Sequence, residues 1–433
     1  MTRIDLPYDM DPGSDAAAKI GSHLRDESTR ISQNMSMWFW FFEARNDPDS
    51  APLALWLNGG PGCSSMIGLF QENGPCQFYN NDTTPSLNPY SWNEYANMLY
   101  VDQPIGTGFS YGTETVNGTV AAAPFVWKLI QAFFAQFPQY QCRDFGLFTE
   151  SYGGHYGPEF ADYFQQQNQA IDDGDLDAEE INLVALGINN GWYDAVIQER
   201  EFISFSANNT YYPLINKSIA DAYMANYTEY CLPALLPCNS TTLTLAACQN
   251  ASNACDTVDM AFGTYFPTDF DNYDIRQPAS SPFPPETYAN YLQDPEIMKR
   301  IGARANYSEC SDDAGNPFGV FGDGVRSFLP TLSNVVQSGI TVLLWAGDAD
   351  SVCDWFGGFA SVNAIDYDSS DEFQNTAVEN FTVNGIVKGT YKSVDNLSWL
   401  RVFGSGHEVP AFQPELGLQV FVQTLKGDGI LPT

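Results

Sequence analysis

The stretch "GLFTESYGGHYGPEF" (residues 146–160) decides how the rest of the chain is read. With Phe145 it opens as an apolar run ending at Phe148, the composition of a strand buried on both faces. Thr149, Glu150, Ser151 and Tyr152 follow, then Gly153, Gly154 and helix-capable sequence. A strand that turns sharply into a helix lifts the turn residue above the sheet edge. The helix N-terminus behind it favours developing negative charge. A serine at that point presents its hydroxyl for nucleophilic work, and Glu150 sets a carboxylate beside it.

Such a turn matches the nucleophile elbow of the α/β-hydrolase fold, usually G-x-S-x-G, with Thr149 in place of the first glycine. Outward from it, "SMWFWFFEA" (36–44) and "APLALWLNGG" (51–60) read as strands joined by the polar turn "RNDPDS", and "ANMLYVDQP" (96–104) as another. "PFVWKLIQAFFAQFPQY" (124–140) has helical spacing, and a further helix is expected over about 154–167. "QAIDDGDLDAEE" (169–180) is an acidic connector, and "INLVALGINNG" (181–191) is a buried strand. Residues 192 to about 320 are rich in Tyr, Asn, Pro and clustered Cys; strand character returns at "GITVLLWAG" (339–347) and "LSWLRVFGSG" (397–406). The rhythm predicts a mostly parallel sheet with helices on both faces. The core is expected over 1–191 and 323–433, interrupted by a large insertion, or cap, over 192–322.

The chain has 433 residues, with 18 Lys+Arg against 53 Asp+Glu, a net charge of −35. Nucleic acid and anionic membranes need a positive patch, so neither is an expected partner. The acidity suits a low-pH medium, and it suits solubility equally. No run approaches a membrane helix, and "TRIDLPYDMDPGSD" after Met1 carries no apolar leader, which fits a cytosolic protein or a mature form. The N-x-S/T pattern at Asn34, Asn81, Asn117, Asn208, Asn216, Asn226, Asn239, Asn250, Asn306, Asn380 and Asn396, on a Cys-containing chain, favours the secretory route, with a secreted or vacuolar destination. Of the nine cysteines, Cys231, Cys238, Cys248 and Cys255 cluster without CxxC spacing or a nearby His. That predicts two local disulfides, nested or crossed, rather than zinc.

A serine nucleophile needs a base, and the base an orienting acid. Of three histidines, His23 lies in a charged N-terminal segment and His155 reaches back poorly to Ser151 from the following helix. His407, in "VFGSGHEVP", follows a strand and a glycine-rich turn. The fold's chain order of Ser, acid, His leaves Asp348 and Asp350 of "LLWAGDADSVCDW" as the acids, and sequence physics does not choose between them. "LNGGPGCSS" (57–65) supplies Gly59 and Gly60, whose backbone allows close approach to a developing oxyanion. Ser64 and Ser65 sit in no elbow pattern.

Together, "WLNGGPGCSS", "FQENGP", "YVDQPIGTGFSYG", "FTESYGGHYGPEFA", "LLWAGDADSVCDW" and "GSGHEVP" resemble the serine carboxypeptidase family, above all its secreted fungal members. The resemblance implies an α/β-hydrolase core, a large insertion, and release of single C-terminal residues from peptides and proteins at acidic pH through an acyl-enzyme. It requires neither a metal nor a cofactor, and it leaves the oligomeric state open. It implies Ser151 as nucleophile, His407 as base and Asp350 as acid, with Gly60 and Tyr152 N–H groups as oxyanion donors. It also implies that Asn58, Glu72 and Glu150 hold the substrate carboxylate. Were Glu72 and Glu150 close, one would keep its proton. The resemblance further implies a thiol at Cys353 near the substrate pocket, Glu408 lining the leaving-residue pocket, and a Cys63–Cys310 bridge between core and insertion. Cys76 and Cys142 are left over as a last pair. Relatives also work as acyltransferases or hydroxynitrile lyases, but retention of Asn58, Glu72 and Glu150 favours peptidase work. Three scattered histidines disfavour a zinc carboxypeptidase, and the complete triad disfavours an inert binding glycoprotein. The first 35 residues, polar and helix-like, depart from the family's expected early strand and cysteine.

Overall fold

The apolar run ahead of Ser151 lies inside a nine-stranded sheet in a computed structural model. The structure describes residues 35–79, 83–112, 116–240, 244–427 and 429–433, so His23 and the sequons at Asn34 and Asn81 fall outside it. The strands are β1 (Trp38–Phe42), β2 (Leu53–Leu57), β3 (Asn97–Asp102), β4 (Phe145–Glu150), β5 (Leu183–Asn189), β6 (Thr341–Gly347), β7 (Glu379–Val383), β8 (Ile386–Val394) and β9 (Leu397–Val402). Their spatial order is β1-β3-β2-β4-β5-β6-β9-β8-β7. The six from β3 to β9 in this order run parallel, while β1 and the β7–β8 pair close the edges antiparallel.

Side chains alternate between the two faces of each strand, and both faces are covered. One face packs Leu53, Leu55, Leu99 and Leu147 against helices α1 (Thr119–Gln136) and α2 (Gly153–Asp172), and against Leu332 and Val336. The other packs Trp56, Tyr100 and Phe148 with residues such as Val420 and Phe421 near the C-terminus, where Phe421 stacks on Trp92 at 4.2 Å between centroids. Because β4 is buried along its whole length, its C-terminal end delivers Glu150 and Ser151 to a fixed place.

Between β5 and β6 the described residues add no strand to the main sheet. It forms helices, among them α3 (Ala195–Asn208), α4 (Lys217–Asn226), α5 (Leu232–Cys238) and α6 (Leu245–Gly263), with a separate apolar cluster around Tyr223, Leu235 and Phe262. The four clustered cysteines pair in nested fashion, Cys231–Cys255 and Cys238–Cys248, and staple this cluster. Cys63–Cys310 joins the loop after β2 to the stretch ahead of β6.

The expected Cys76–Cys142 bridge does not form. Cys76 is buried in the cluster on one sheet face, where desolvation pushes its thiol up to about 12. Cys142 is exposed, in the turn just after Tyr140, which packs into the cluster on the opposite face. The sheet lies between them.

Strands β7 and β8 were not expected from the sequence reading. The signal for them is "VNGI" (383–386): Asn384 and Gly385 both take positive φ, 50° and 74°, as the tight hairpin turn requires.

Candidate active site

Ser151 occupies the turn between β4 and α2 with φ 62°, a left-handed conformation that a β-carbon disfavours. The neighbours hold it there. Its N–H donates to the Asn189 carbonyl (3.0 Å), and its own carbonyl accepts from Gly154 N (2.9 Å) and Trp192 N (2.9 Å). Thr149, standing where the usual pattern has glycine, donates its hydroxyl to the Gly153 carbonyl (2.9 Å). A β-carbon at Gly153 would come within 2.5 Å of Thr149 Cβ, so the glycine is required at that step.

Asp350 sits beyond the end of β6, fully buried. Its Oδ2 accepts from His407 Nδ1 (2.7 Å), Asn190 Nδ2 (2.8 Å) and the Cys353 N–H (3.1 Å), while Oδ1 accepts from the Val352 N–H (2.9 Å). Asp348, the other acid of the motif, points elsewhere, accepting from Tyr211 Oη, Gly404 N and Arg401. Burial alone would lower the basicity of the His407 ring. The Asp350 carboxylate, helped by Glu150 and Asp271, outweighs it and raises the pKa above the ordinary value. Asn189 links the halves of the site: its carbonyl accepts from Ser151 N, and its Nδ2 donates to the His407 carbonyl (2.8 Å) and to Glu150 Oε2 (2.6 Å). The Cys353 thiol is a hydrogen-bond neighbour of the Ser151 hydroxyl, and burial holds it well above the usual thiol range.

Three buried polar side chains meet beside Ser151. Asn58 Nδ2 donates to Glu150 Oε1 (3.0 Å) and to Glu72 Oε1 (3.2 Å). The Asn58 amide is held by Trp56 Nε1 (2.7 Å) and Gly68 N (2.9 Å), both donating to its Oδ1. Glu72 and Glu150 are themselves hydrogen-bond neighbours, which two carboxylates become only if one is protonated. Burial first, then the Glu150 and Glu408 charges, raises Glu72 well above the carboxylate range. Burial also raises Glu150, against the pull of His407, so Glu72 keeps the shared proton. Glu408 is pushed well up by burial and by Glu150, and its Oε2 is buried with no hydrogen-bond partner among the described residues.

Gly59 lies against the elbow: a β-carbon there would meet Tyr152 N at 2.4 Å and Ser151 Cβ at 2.9 Å. This contact brings Gly60 and Tyr152 to the same mouth, and no acceptor among the described residues takes either N–H. The loop is tied from below. Ser64 Oγ (2.6 Å) and Ser65 N (3.2 Å) donate to Asp102, and Ser65 Oγ donates to the Val101 carbonyl (2.5 Å), which explains two serines that are structural. A hydroxyl at a strained turn, an Asp–His pair, unfilled backbone donors and a carboxyl cluster can together perform acyl transfer on a substrate with its own carboxylate.

The sequence model of the serine carboxypeptidase family matches residues 27–427. The chain belongs to the serine carboxypeptidase family. Among its relatives, Carboxypeptidase S1 of Penicillium janthinellum is 55% identical over 404 residues, covering 93% of this chain and 95% of that protein. A Carboxypeptidase S1 homolog A of Arthroderma otae is 36% identical and covers 90% of this chain and 70% of its own length. A prohormone-processing carboxypeptidase from Saccharomyces cerevisiae has the same fold, with a TM-score of 0.79, 22% identity, and coverage of 95% of this chain and 92% of that one. The chain is thus a serine carboxypeptidase, a hydrolase with peptide substrates, on an α/β-hydrolase scaffold. Among the described residues no helix is long and apolar enough to cross a membrane.

Three contributors to this carboxypeptidase site escaped the sequence reading. Asn189 and Asn190 sit at the end of an otherwise apolar strand, level with Glu150 across the β4–β5 register, and two amides at such a strand end were the available signal. Tyr273 had no local signal: it comes from the helical segment, accepts the His407 N–H on its carbonyl (2.8 Å) and sets its ring 5.0 Å from the imidazole.

Proposed function

We propose that Ser151 attacks the last peptide carbonyl of the substrate while His407 takes the hydroxyl proton, with Asp350 holding the imidazole by Nδ1. The carbonyl oxygen, now an anion, is received by the N–H groups of Gly60 and Tyr152. His407 returns the proton to the departing amino group, one C-terminal amino acid leaves, and water hydrolyses the acyl-enzyme by the reverse sequence. Asn58, Glu72 and Glu150 bind the terminal carboxylate, Glu72 doing so as a protonated donor. That requirement makes the enzyme work best in acid. Glu408 and Cys353 border the pockets on either side of the bond.

The observation that carries this reading is the Asn58–Glu72–Glu150 cluster, buried one residue from Ser151. No general esterase needs a protonated carboxyl pair there, whereas a substrate ending in a carboxylate does. The test is amino-acid release from N-blocked dipeptides with the terminal carboxylate free or amidated. Cleavage of the free acid alone, together with loss of cleavage and of organophosphate labelling in Ser151→Ala, is expected. Equal cleavage of both substrates would overturn the carboxylate role.

We read residues 192–322 as the insertion between two core segments, 1–191 and 323–433, a division supported by the lack of main-sheet strands among its described residues. Three disulfides and the exposed sequons at Asn208, Asn216, Asn250, Asn306 and Asn380 support a glycosylated protein of the secretory route, secreted or vacuolar.

A further inference from the structure

The helical segment leaves the core after Asn189 and returns near Asp323, and both crossing points grip the turn that carries Ser151. On the outgoing side, Trp192 N donates to the Ser151 carbonyl (2.9 Å). On the returning side, Asp323 Oδ2 accepts the Tyr152 hydroxyl (2.7 Å). The same oxygen accepts Thr119 N (3.0 Å) and Thr119 Oγ1 (2.6 Å), so it caps the start of α1, whose own N-cap, Gly118, has no side chain to do so. His155 lies between the two crossings. Its Nδ1 is 2.6 Å from the Trp192 carbonyl and its Nε2 is 3.2 Å from the Asp323 carbonyl. Trp192 Nε1 closes the ring by donating to the Gly324 carbonyl (2.7 Å). The centre of the ring is buried, with Asp323 2% exposed and His155 fully enclosed, while Trp192 and Gly324 are half-buried.

Tyr152 is one of the two residues whose backbone N–H faces the oxyanion, and its peptide plane is set by where its side chain is anchored. Its ring is wedged against His155 (4.6 Å) and Phe318 (6.0 Å), and its hydroxyl ends on Asp323. A carboxylate accepting three hydrogen bonds on one oxygen is a stiff anchor. A few tenths of an ångström of drift at the N–H matters, because an oxyanion donor works only within hydrogen-bond distance of the charge that forms.

We propose that Asp323, through the Tyr152 hydroxyl, is a positioning residue for the reaction: it aims the Tyr152 N–H at the oxyanion and makes that aim depend on the inserted helices being seated. The proposal rests on the reading of Tyr152 as an oxyanion donor. None of Asn58, Glu72 and Glu150 is among the hydrogen-bond partners of Asp323, the Tyr152 hydroxyl or His155. Loss of the tether is therefore a loss of chemistry rather than of substrate grip.

The test compares Tyr152→Phe, Asp323→Asn and the double variant. For an ester and for a blocked dipeptide, it reads kcat, KM, the rate of inactivation by an organophosphate, and Tm. The expected result is a fall in kcat of about tenfold or more, equal on ester and dipeptide. The inactivation rate falls in parallel, because the phosphonyl adduct uses the same donors. The dipeptide KM stays put, and the double variant is no slower than the slower single one, since both cut the same tether. Tyr152→Phe removes one hydroxyl and keeps the ring packing, so it reports even if Asp323→Asn folds poorly. Unchanged kcat in Tyr152→Phe would overturn the proposal while leaving Ser151 as nucleophile. A fall confined to dipeptide KM would overturn it in favour of a role in substrate binding. If Ser151→Ala kept its activity, the underlying reading itself would have failed.

Discussion

Glu72 and Glu150, which lie 78 positions apart in the chain, come together on one amide, Asn58 Nδ2, at 3.2 and 3.0 Å. Glu72 meets no basic side chain among the described residues, and the pull of His407 on Glu150 does not overcome burial, so the pair keeps a proton. The substrate's terminal carboxylate would otherwise meet two negative charges.

The first prediction follows from the sign of that shift. Both carboxyls have raised pKa values, Glu72 the more, so the proton is present in acid and lost as pH rises through the raised values. Peptide KM should climb between pH 5 and 8, by about tenfold or more, while KM for an ester lacking the terminal carboxylate stays nearly flat. Glu72→Gln keeps a donor without a titrating proton and should flatten the climb. A peptide KM that improves above neutrality would refute the role given to the pair.

Asp350 accepts from the side chains of His407 and Asn190 and from two backbone N–H groups. In Asp350→Asn the amide would leave His407 Nδ1 without its acceptor or turn the ring to the wrong tautomer. We expect kcat to fall by about 10³–10⁴ with little change in peptide KM, since the carboxylate cluster is untouched. Asp348→Asn should spare kcat, because its partners are Tyr211, Gly404 and Arg401. Equal losses in the two variants would mean that the acid has been misassigned.

What the chain disclosed by itself follows from which forces are local. The buried strands ending at Glu150 and Gly347 announce themselves as apolar runs, and the turn at Ser151 by its small neighbours. The choice between Asp348 and Asp350 is tertiary: two acids two residues apart on one loop, sent to different partners by its curl. Pairing among Cys231, Cys238, Cys248 and Cys255 depends on how α5 and α6 lie together, which spacing does not encode. Cys76 and Cys142 failed as a pair for the same reason, since elimination says nothing about which face of a sheet a residue occupies. Tyr273 reaches His407 across 134 positions and leaves no trace in either local stretch.

Sequons differ in whether their amide nitrogen is available. Asn396 Nδ2 donates to the Val336 (2.8 Å) and Ile340 (2.6 Å) carbonyls, and Asn239 Nδ2 to Leu235 (3.2 Å) and Val325 (3.1 Å). A glycan takes one of the two amide hydrogens, so on either residue it would cost a hydrogen bond to a backbone carbonyl. Asn208, Asn216, Asn250, Asn306 and Asn380 are exposed. Glycopeptide mapping of the protein from a fungal secretory host should find sugar among these five and none on Asn239 or Asn396. Full occupancy of Asn396 would contradict its place in the fold.

The last prediction concerns stability against pH. Burial raises Asp102 to about 7 and Asp354 to about 8, and Glu159 to about 7, in addition to the Glu72 pair. In an unfolded chain such groups titrate near 4. A carboxyl whose folded pKa is raised binds protons more tightly when folded. Its contribution is therefore complete below about pH 4 and is lost as pH rises through the folded value. His407, also raised, works in the same direction; His155, lowered by burial, works against it. The carboxyls outnumber it, so Tm should fall steadily from pH 5 to 8. Self-repulsion at a net charge of −35 would lower Tm too, and one variant separates the causes. Asp354 caps a helix by accepting from Gly357 N (3.0 Å), and asparagine caps equally well without titrating. Asp354→Asn should thus match the parent in acid and exceed it at pH 8, where the parent must ionise a buried group. A parallel downward shift at every pH would show that burial of this carboxyl does not set the slope.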